Sequence, residues 1–322
     1  MSDAALGRVR ASRWRKMLAG FGATTVVVWA LSSLVAQFGQ TTIAELRRAF
    51  EIQTAGRVGA AIALTFTSFG CLALYDLFGV RAVARSRVPA YAALLAGFTG
   101  NAVSNTLGFH AITGIVARVR VYGRFGLKTA DVVRIVALSW LSLALGFATM
   151  VAVAELVAAA TRQGRGRAAV VGTLIIGCLT GFVAWLSRRP RTVSILVFRQ
   201  PLPSAKLAIA RMLIGAVESA ASVGALYVLL PLDMAPPFVS FAVGCIAAVA
   251  LGLLSHSPGG IGVFEAAVTT ILSGVGRADL LAAMLLYRAI YNLLPFVLAT
   301  ATLGGLALLH PPRTSWTRDI AR

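Results

Sequence analysis

Residues 97–114 read GFTGNAVSNTLGFHAITG, and this stretch interrupts one of the longest apolar runs of the chain, 89–117. Because it is rich in Gly, Asn, Ser and Thr, it would make a poor continuous helix against lipid. Two half-helices that enter a bilayer and return to the same side would accommodate it, provided protein or water covers the exposed backbone. The stretch therefore predicts a broken, re-entrant helical hairpin.

The composition of the whole chain requires a membrane. Of its 322 residues, 58% are hydrophobic and only 13% are charged, whereas a soluble domain carries about 25% charged residues. The mean hydropathy is +0.83, and a water-soluble protein of this length has too little interior to bury so much apolar surface. We therefore predict an all-α, polytopic membrane helix bundle with two broken or re-entrant helices, an architecture that allows inverted repeats.

Further apolar runs give the number of crossings and the domain boundaries. Segments of about 20 apolar residues cross a bilayer once, which predicts about seven clear crossings and two ambiguous stretches. We divide the chain into a basic cytoplasmic N-terminus (1–16), one transporter-like transmembrane domain (17–309) and a short polar C-terminal tail (310–322). The apolar runs besides 89–117 are 17–38, 58–80, 132–160, 168–187, 207–230, 238–256, 261–273 and 280–309.

The basic residues fit a membrane orientation better than a nucleic-acid partner. Lys and Arg outnumber Asp and Glu by 30 to 11, and basic residues beside spans mark the cytoplasmic side. A hairpin at 97–114 keeps Arg81 and Arg87 on the same side as Arg118, Arg120 and Arg124, whereas a single crossing would separate them. The three arginines of loop 161–167 do not fit this orientation.

A second interrupted stretch lies about half the chain further on. Residues 253–270 read LLSHSPGGIGVFEAAVTT, a break rich in Pro, Gly and Ser followed by a short apolar helix. Bare backbone amides at a helix start can bind an anion, which here points to Ser257, Gly259, Gly260 and Gly262. Paired breaks in the two halves of a chain indicate a transporter whose site lies where the breaks meet.

Three carboxylates, Asp76, Glu218 and Glu265, lie in apolar helical segments. A carboxylate at the centre of a membrane helix costs about 2.5–3.5 kcal/mol on insertion scales, so each requires a partner or a wet cavity. The available cations are Arg118, Arg120, Arg211 and Arg288, the last with Tyr291 one turn further on. Two interpretations stay open: ion pairs that join helices, or groups that line a path for a polar lipid headgroup.

Three ordered motifs also resemble a known family. Residues 75–127, SHSPGGIGVFEAAV at 255–268 and LLYRAIYNLLPFVLA at 285–299 are similar to the flippase domain of bacterial multiple peptide resistance factor and to the wider group of lysylphosphatidylglycerol synthase transmembrane regions. The resemblance implies a multi-pass protein of the bacterial inner membrane, with a cytoplasmic N-terminus, that moves aminoacylated phosphatidylglycerol to the outer leaflet. It thereby implies resistance to cationic antimicrobial peptides. By the same resemblance, the headgroup residues are Asp76, Arg118, Glu218, Glu265 and Arg288.

These lines combine into one hypothesis for the site. Glycine amides together with Arg118 or Arg288 would hold the lipid phosphate, and the three carboxylates would hold its ammonium groups. The candidate substrate-binding residues are Asp76, Arg118, Arg120, Glu218, Ser257, Gly259, Gly260, Gly262, Glu265, Arg288 and Tyr291.

The chain stops at Arg322, a dozen residues after the last span, so the acyltransferase domain of the resembled family is not expected. We therefore expect no synthase activity, no cofactor and no metal. Expected partners are a phospholipid headgroup, membrane lipids and a separately encoded aminoacyl-lipid synthase, and a homodimer is compatible. Alternatives are a non-transporting accessory subunit that binds anionic lipid or such a synthase, a transporter of another lipid, and an enzyme acting within the membrane.

Overall fold

The computed structural model describes residues 43–51, 53–84, 87–108, 110–161, 165–188, 192–195, 198–201, 204–231, 235–254 and 262–309. The predicted first span, 17–38, and both predicted polar ends of the chain lie outside these residues. Ser257, Gly259 and Gly260, which the sequence places in an anion site, lie outside them as well.

The described part of the chain is a bundle of helices. Loop 187–205 contributes one short antiparallel strand pair that registers Thr192 with Pro201. The elements, in chain order, are α1 (Ile43–Glu51), α2 (Ala55–Val83), α3 (Ala90–Leu107), α4 (His110–Tyr122), a 3-10 turn (Gly123–Phe125), α5 (Thr129–Ala160), α6 (Arg165–Arg188), β1 (Thr192–Ile195), β2 (Phe198–Pro201), α7 (Ala205–Tyr227), α8 (Phe238–Leu254), α9 (Val263–Ile271), α10 (Arg277–Tyr287), a π-helical segment (Arg288–Leu293) and α11 (Leu294–Leu309).

Five of the described helical runs are long and apolar enough to cross a bilayer. They are α2, α5, α6, α7 and the continuous run from α10 through the π segment into α11. The protein is therefore a multi-pass, all-α membrane protein, and the predicted fold class is confirmed.

The break at 97–114 is a helical hairpin. Helix α3 ends at Gly108, whose φ of 73° suits glycine, and α4 begins at His110. The two helices then run back along each other, because the Tyr122 hydroxyl at the end of α4 reaches the Ala93 carbonyl near the start of α3, at 3.5 Å. These helices, of 18 and 13 residues, form the predicted hairpin, and its re-entrant placement in the bilayer stays a prediction.

The second predicted break separates α8 from α9. Helix α9 has only nine residues, fewer than the roughly 20 needed to span a bilayer, and it packs against α8. Gly262, at φ 87°, precedes its first turn. Apart from α6, which lies between the two sets, the described elements therefore repeat one order: a long span, a pair of shorter packed helices and another long span. This order is what a repeat requires, and an inverted relation between the halves stays a prediction.

Helices α5 and α7 approach each other most closely at two glycines. A Cβ atom added to Gly146 would lie 2.5 Å from the Cα of Gly215. Small residues at a crossing allow such backbone contact between membrane helices. Glu218 lies one turn after Gly215 on α7, so this crossing positions its carboxylate relative to α5.

We expect Gly215→Ala to destabilise the bundle by about 1–3 kcal/mol, because the new methyl group would overlap the α5 backbone and force the helices apart. The control is Gly181→Ala on α6, where nothing lies within 4 Å of an added Cβ. Thermal unfolding in detergent should show a lower Tm for the first variant only. Equal Tm values would contradict the close crossing.

Candidate functional site

A polar cavity lies between the two hairpins, at the position that paired breaks predict for a site. Its volume is about 140 Å³, which is enough for roughly five water molecules at about 30 Å³ each. Helices α2, α5 and α7 and the π segment complete its wall. The polar residues that line it include Tyr75, Asn101, Ser104, Asn105, Arg118, Ser139, Glu218, Ser222, Tyr287, Arg288, Tyr291 and Asn292.

The π segment joins the first hairpin to this cavity. Asn292 donates from Nδ2 to the Asn105 carbonyl at 3.1 Å, and Thr106 donates from its hydroxyl to the Asn292 carbonyl at 3.1 Å. Pro295, which lacks an N–H, follows four residues after Tyr291 and favours a departure from regular α-helical bonding. Short π segments inside helices often occur at functional sites.

The first buried ion pair holds the hairpin α3–α4 against α2. Arg118 donates from Nε and Nη2 to the two carboxylate oxygens of Asp76, both at 2.7 Å. The Tyr122 hydroxyl adds a third bond to Asp76 at 3.0 Å, and Arg118 Nη1 donates to the Gly114 carbonyl at 3.2 Å. Asp76 is fully buried and does not line the cavity, so the ion pair neutralises it and Arg118 provides the cavity surface.

Two glycines of the opening sequence make room for this pair. A Cβ at Gly100 would lie 2.5 Å from Arg118 Nη1, and a Cβ at Gly97 would lie 2.8 Å from the Cβ of Asp76. A side chain at either position would displace the ion pair. The glycines of GFTG therefore serve the packing of a charge pair as well as the break in the helix.

The second ion pair connects α9 with the π segment. Arg288 donates from Nε to Glu265 at 3.0 Å and also from Nη2 to the same oxygen. The other oxygen of Glu265 accepts the Gly262 amide at 2.8 Å. The sequence predicts that this amide binds an anion of the substrate. In the structure it donates to the Glu265 carboxylate instead, at the start of α9. Arg288 lines the cavity, whereas Glu265 is buried behind it.

Glu218 differs from the other two carboxylates because it has no basic partner among the described residues. It lines the cavity, and its carboxylate accepts hydrogen bonds from the hydroxyl groups of Ser68, at 3.0 Å, and Ser219, at 3.4 Å. Ser68 is also hydrogen-bonded to the Tyr291 hydroxyl at 2.8 Å. Tyr291, a predicted site residue, therefore lines the cavity and is linked to Glu218 through Ser68.

Two predicted cations do not pair with these carboxylates. Arg120 is exposed on α4 and does not line the cavity, because it lies two residues beyond Arg118 and faces away. A role for Arg120 in binding the headgroup therefore stays a prediction that this cavity does not support. Arg211 is fully buried on the face of α7 that also carries Glu218. It donates to the Leu138 carbonyl at 3.4 Å and packs over Phe78 without reaching the carboxylate.

Several site residues are visible in the sequence only as a weak polar pattern. Ser68 and Tyr75 on α2, seven residues apart, share one face of that helix. Asn101, Ser104 and Asn105 likewise share one face of α3. Polar residues at this spacing in an apolar helix point to a wet interior, but they do not identify which helix they contact.

The fold and the site define a multi-pass membrane protein with a polar, charged cavity between two helical hairpins. The family described as the lysylphosphatidylglycerol synthase TM region matches residues 9–299, and the chain belongs to this family. It is 31% identical over 254 residues to the inner membrane protein YbhN of Escherichia coli K12, covering 74% of this chain and 77% of YbhN. It is 26% identical over 263 residues to the protein slr0712 of Synechocystis sp. PCC 6803, covering 80% and 81% of the two chains.

We expect Asp76→Asn to destabilise the protein by about 3–5 kcal/mol, because it leaves the buried Arg118 guanidinium uncompensated. Replacing both partners, as in Asp76→Asn with Arg118→Met, should restore part of that loss. The control is Asp131→Asn, which removes a more exposed pair with Arg134 and should cost less than about 1 kcal/mol. Thermal unfolding in detergent measures all three. A stable Asp76→Asn variant would show that Asp76 does not hold the hairpin in place.

Proposed function

We propose that this protein is a lipid flippase of the bacterial inner membrane that moves aminoacylated phosphatidylglycerol from the inner to the outer leaflet. The family to which the chain belongs is described as the lysylphosphatidylglycerol synthase TM region, and the similar protein YbhN is named an inner membrane protein. Such transport would lower the negative charge of the outer surface and so weaken the binding of cationic antimicrobial peptides.

The observation that carries the proposal is the charge pattern of the cavity. Its wall presents two guanidinium groups, from Arg118 and Arg288, and one carboxylate, from Glu218. A lysyl-phosphatidylglycerol headgroup carries one phosphate and two ammonium groups. Guanidinium groups suit phosphate, and a carboxylate suits an ammonium group. The cavity therefore complements a headgroup that carries charges of both signs.

The structure changes the roles that the sequence suggests for the carboxylates. Asp76 and Glu265 each bind an arginine and lie behind it, so they are positioning residues for the phosphate-binding side. Glu218, which no basic residue of the described chain neutralises, remains for an ammonium group. The Gly262 amide is already bonded to Glu265, so in this proposal the phosphate interacts with arginine side chains.

An opening beside α5 would let the acyl chains stay in lipid while the headgroup enters the cavity. Trp140 lines the cavity and is 39% exposed. Leu143 and Phe147 follow it on the same face of α5 and line the cavity too. An apolar edge that connects the polar interior with the lipid-facing surface suits a substrate with a charged head and two apolar chains.

We propose no synthase activity for this chain. The lipid would come from a separately encoded aminoacyl-lipid synthase, and that enzyme is the partner we propose for cells that express this protein.

The test is a leaflet-resolved assay in vesicles of phosphatidylethanolamine and phosphatidylglycerol that contain a trace of labelled lysyl-phosphatidylglycerol. The protein should accelerate exchange of the labelled lipid between leaflets, relative to protein-free vesicles. Glu218→Gln should lower the rate by about ten- to a hundredfold, because a charge-assisted hydrogen bond contributes about 1.5–3 kcal/mol. Glu155→Gln, on α5 and outside the cavity lining, should exchange lipid at the unmodified rate.

Vesicles with the unmodified protein that behave like protein-free vesicles would overturn the transport proposal. Binding of the same lipid without any exchange would then favour an accessory role. A Glu218→Gln variant as fast as the unmodified protein would leave transport in place and remove Glu218 from the site.

A further inference from the structure

The hydrogen-bond partners of the three membrane carboxylates differ in a way that decides which protonation states they can adopt. Asp76 and Glu265 are bound by guanidinium groups, which can only donate hydrogen bonds and therefore need an accepting carboxylate. Among the residues that the structure describes, hydroxyl groups alone bind Glu218. A hydroxyl can donate or accept, so the same neighbours satisfy Glu218 both as a carboxylate and as a carboxylic acid.

The direction of the bonds can reverse as a unit. When Glu218 is anionic, Ser68 donates to it at 3.0 Å, and Tyr291 donates to Ser68 at 2.8 Å. When Glu218 is protonated, its own hydroxyl can donate to Ser68, and Ser68 can donate to Tyr291. Because Tyr291 and Glu218 both line the cavity, a proton has access to cavity water at both ends of this chain.

No other described group near Glu218 takes over its charge. From α2, Cys71 and Tyr75 face it, and Tyr287 of α10 and Tyr291 of the π segment lie on the cavity side. Cys and Tyr are neutral at pH 7 by their ordinary values. On its own helix, Arg211 binds the Leu138 carbonyl, and Arg118 and Arg288 are paired with Asp76 and Glu265.

We propose that Glu218 binds either a proton or the ammonium group of the lipid, but not both, so that the protein exchanges protons for aminoacyl lipid. When no ammonium group is bound, Glu218 carries a proton, because an uncompensated carboxylate inside the bundle is costly. When a headgroup enters, the Glu218 O–H bond breaks, the proton passes to cavity water, and the carboxylate pairs with the ammonium group. This inference rests on the proposed function and adds its energy source.

The charges of the exchanged species make a specific prediction. Lysyl-phosphatidylglycerol has a net charge of +1, from one phosphate and two ammonium groups, so its exchange for one proton moves no net charge. A pH gradient should therefore drive it, whereas a membrane potential alone should not. An exchanger accumulates lipid in the leaflet that faces the acid side, whichever way the protein is inserted.

The experiment uses the full chain in the same vesicles of phosphatidylethanolamine, phosphatidylglycerol and labelled lysyl-phosphatidylglycerol, with the inside or the outside acidified by one pH unit. The labelled lipid should shift towards the acid side by up to about tenfold at one-to-one exchange, since one pH unit equals a tenfold ratio. A potassium–proton ionophore should abolish the shift. Protein-free vesicles correct for passive movement of the lipid, and Glu155→Gln should behave as the unmodified protein does.

A second measurement does not depend on transport. The affinity of the detergent-solubilised protein for the same lipid should fall between pH 8 and pH 5, because protons compete for Glu218. In Glu218→Gln the affinity should be lower and should not respond to pH. That variant keeps the side-chain size and hydrogen-bonding groups, and its Tm shows whether it is folded.

The outcomes separate the two proposals. If the unmodified protein exchanges lipid between leaflets but the distribution ignores the pH gradient, proton exchange is wrong and the flippase proposal stands. Exchange that responds to a membrane potential and not to the pH gradient would also overturn it. If the protein moves no lipid under any gradient, the flippase proposal itself fails.

Discussion

The architecture depends on compensating charge in a medium that contains almost no water. A bilayer core gives buried carboxylates and guanidinium groups few partners apart from one another, and the Asp76–Arg118 and Glu265–Arg288 pairs are the consequence. Each pair also has a mechanical effect, because one member lies on a re-entrant hairpin and the other on a longer neighbouring element. The two pairs thereby fix both hairpins around the cavity. On the first hairpin, the hydrogen bonds between Asn292, Asn105 and Thr106 add to this attachment.

Acidic residues in similar apolar contexts take different roles because their neighbours differ. Asp76 and Glu265 each pair with an arginine and orient that cation. Within the described part of the chain, Glu218 accepts hydrogen bonds from hydroxyl groups and from no basic residue, and the Gly146–Gly215 crossing lies one turn before it on α7. Hydroxyl partners can both donate and accept, so they can bond to either protonation state of a carboxyl group, whereas a guanidinium group can only donate. The division of labour therefore arises from packing, not from residue type.

The π segment connects these features. Within six residues it carries Arg288, which binds the second hairpin, Tyr291, which contacts the Glu218 network, and Asn292, which binds the end of α3. The π segment therefore links both hairpins and the Glu218 network in one stretch of the cavity wall. Its irregular backbone is protected because it lies inside protein and beside a polar cavity, the condition under which such backbone is tolerated at membrane depth.

The sequence by itself determined the membrane bundle, the two breaks and the three intramembrane carboxylates. These follow from local properties: apolar length, glycine-rich interruptions and the cost of burying charge. It narrowed the partners of Asp76 and Glu265 to a few arginines but could not choose among them. Arg120 and Arg211 were as plausible on spacing as Arg118 and Arg288. Only the tertiary structure decided that Arg211 binds a backbone carbonyl and that Glu218 meets hydroxyl groups, because those contacts join helices about 70 to 220 residues apart in sequence and no local pattern encodes which faces will meet.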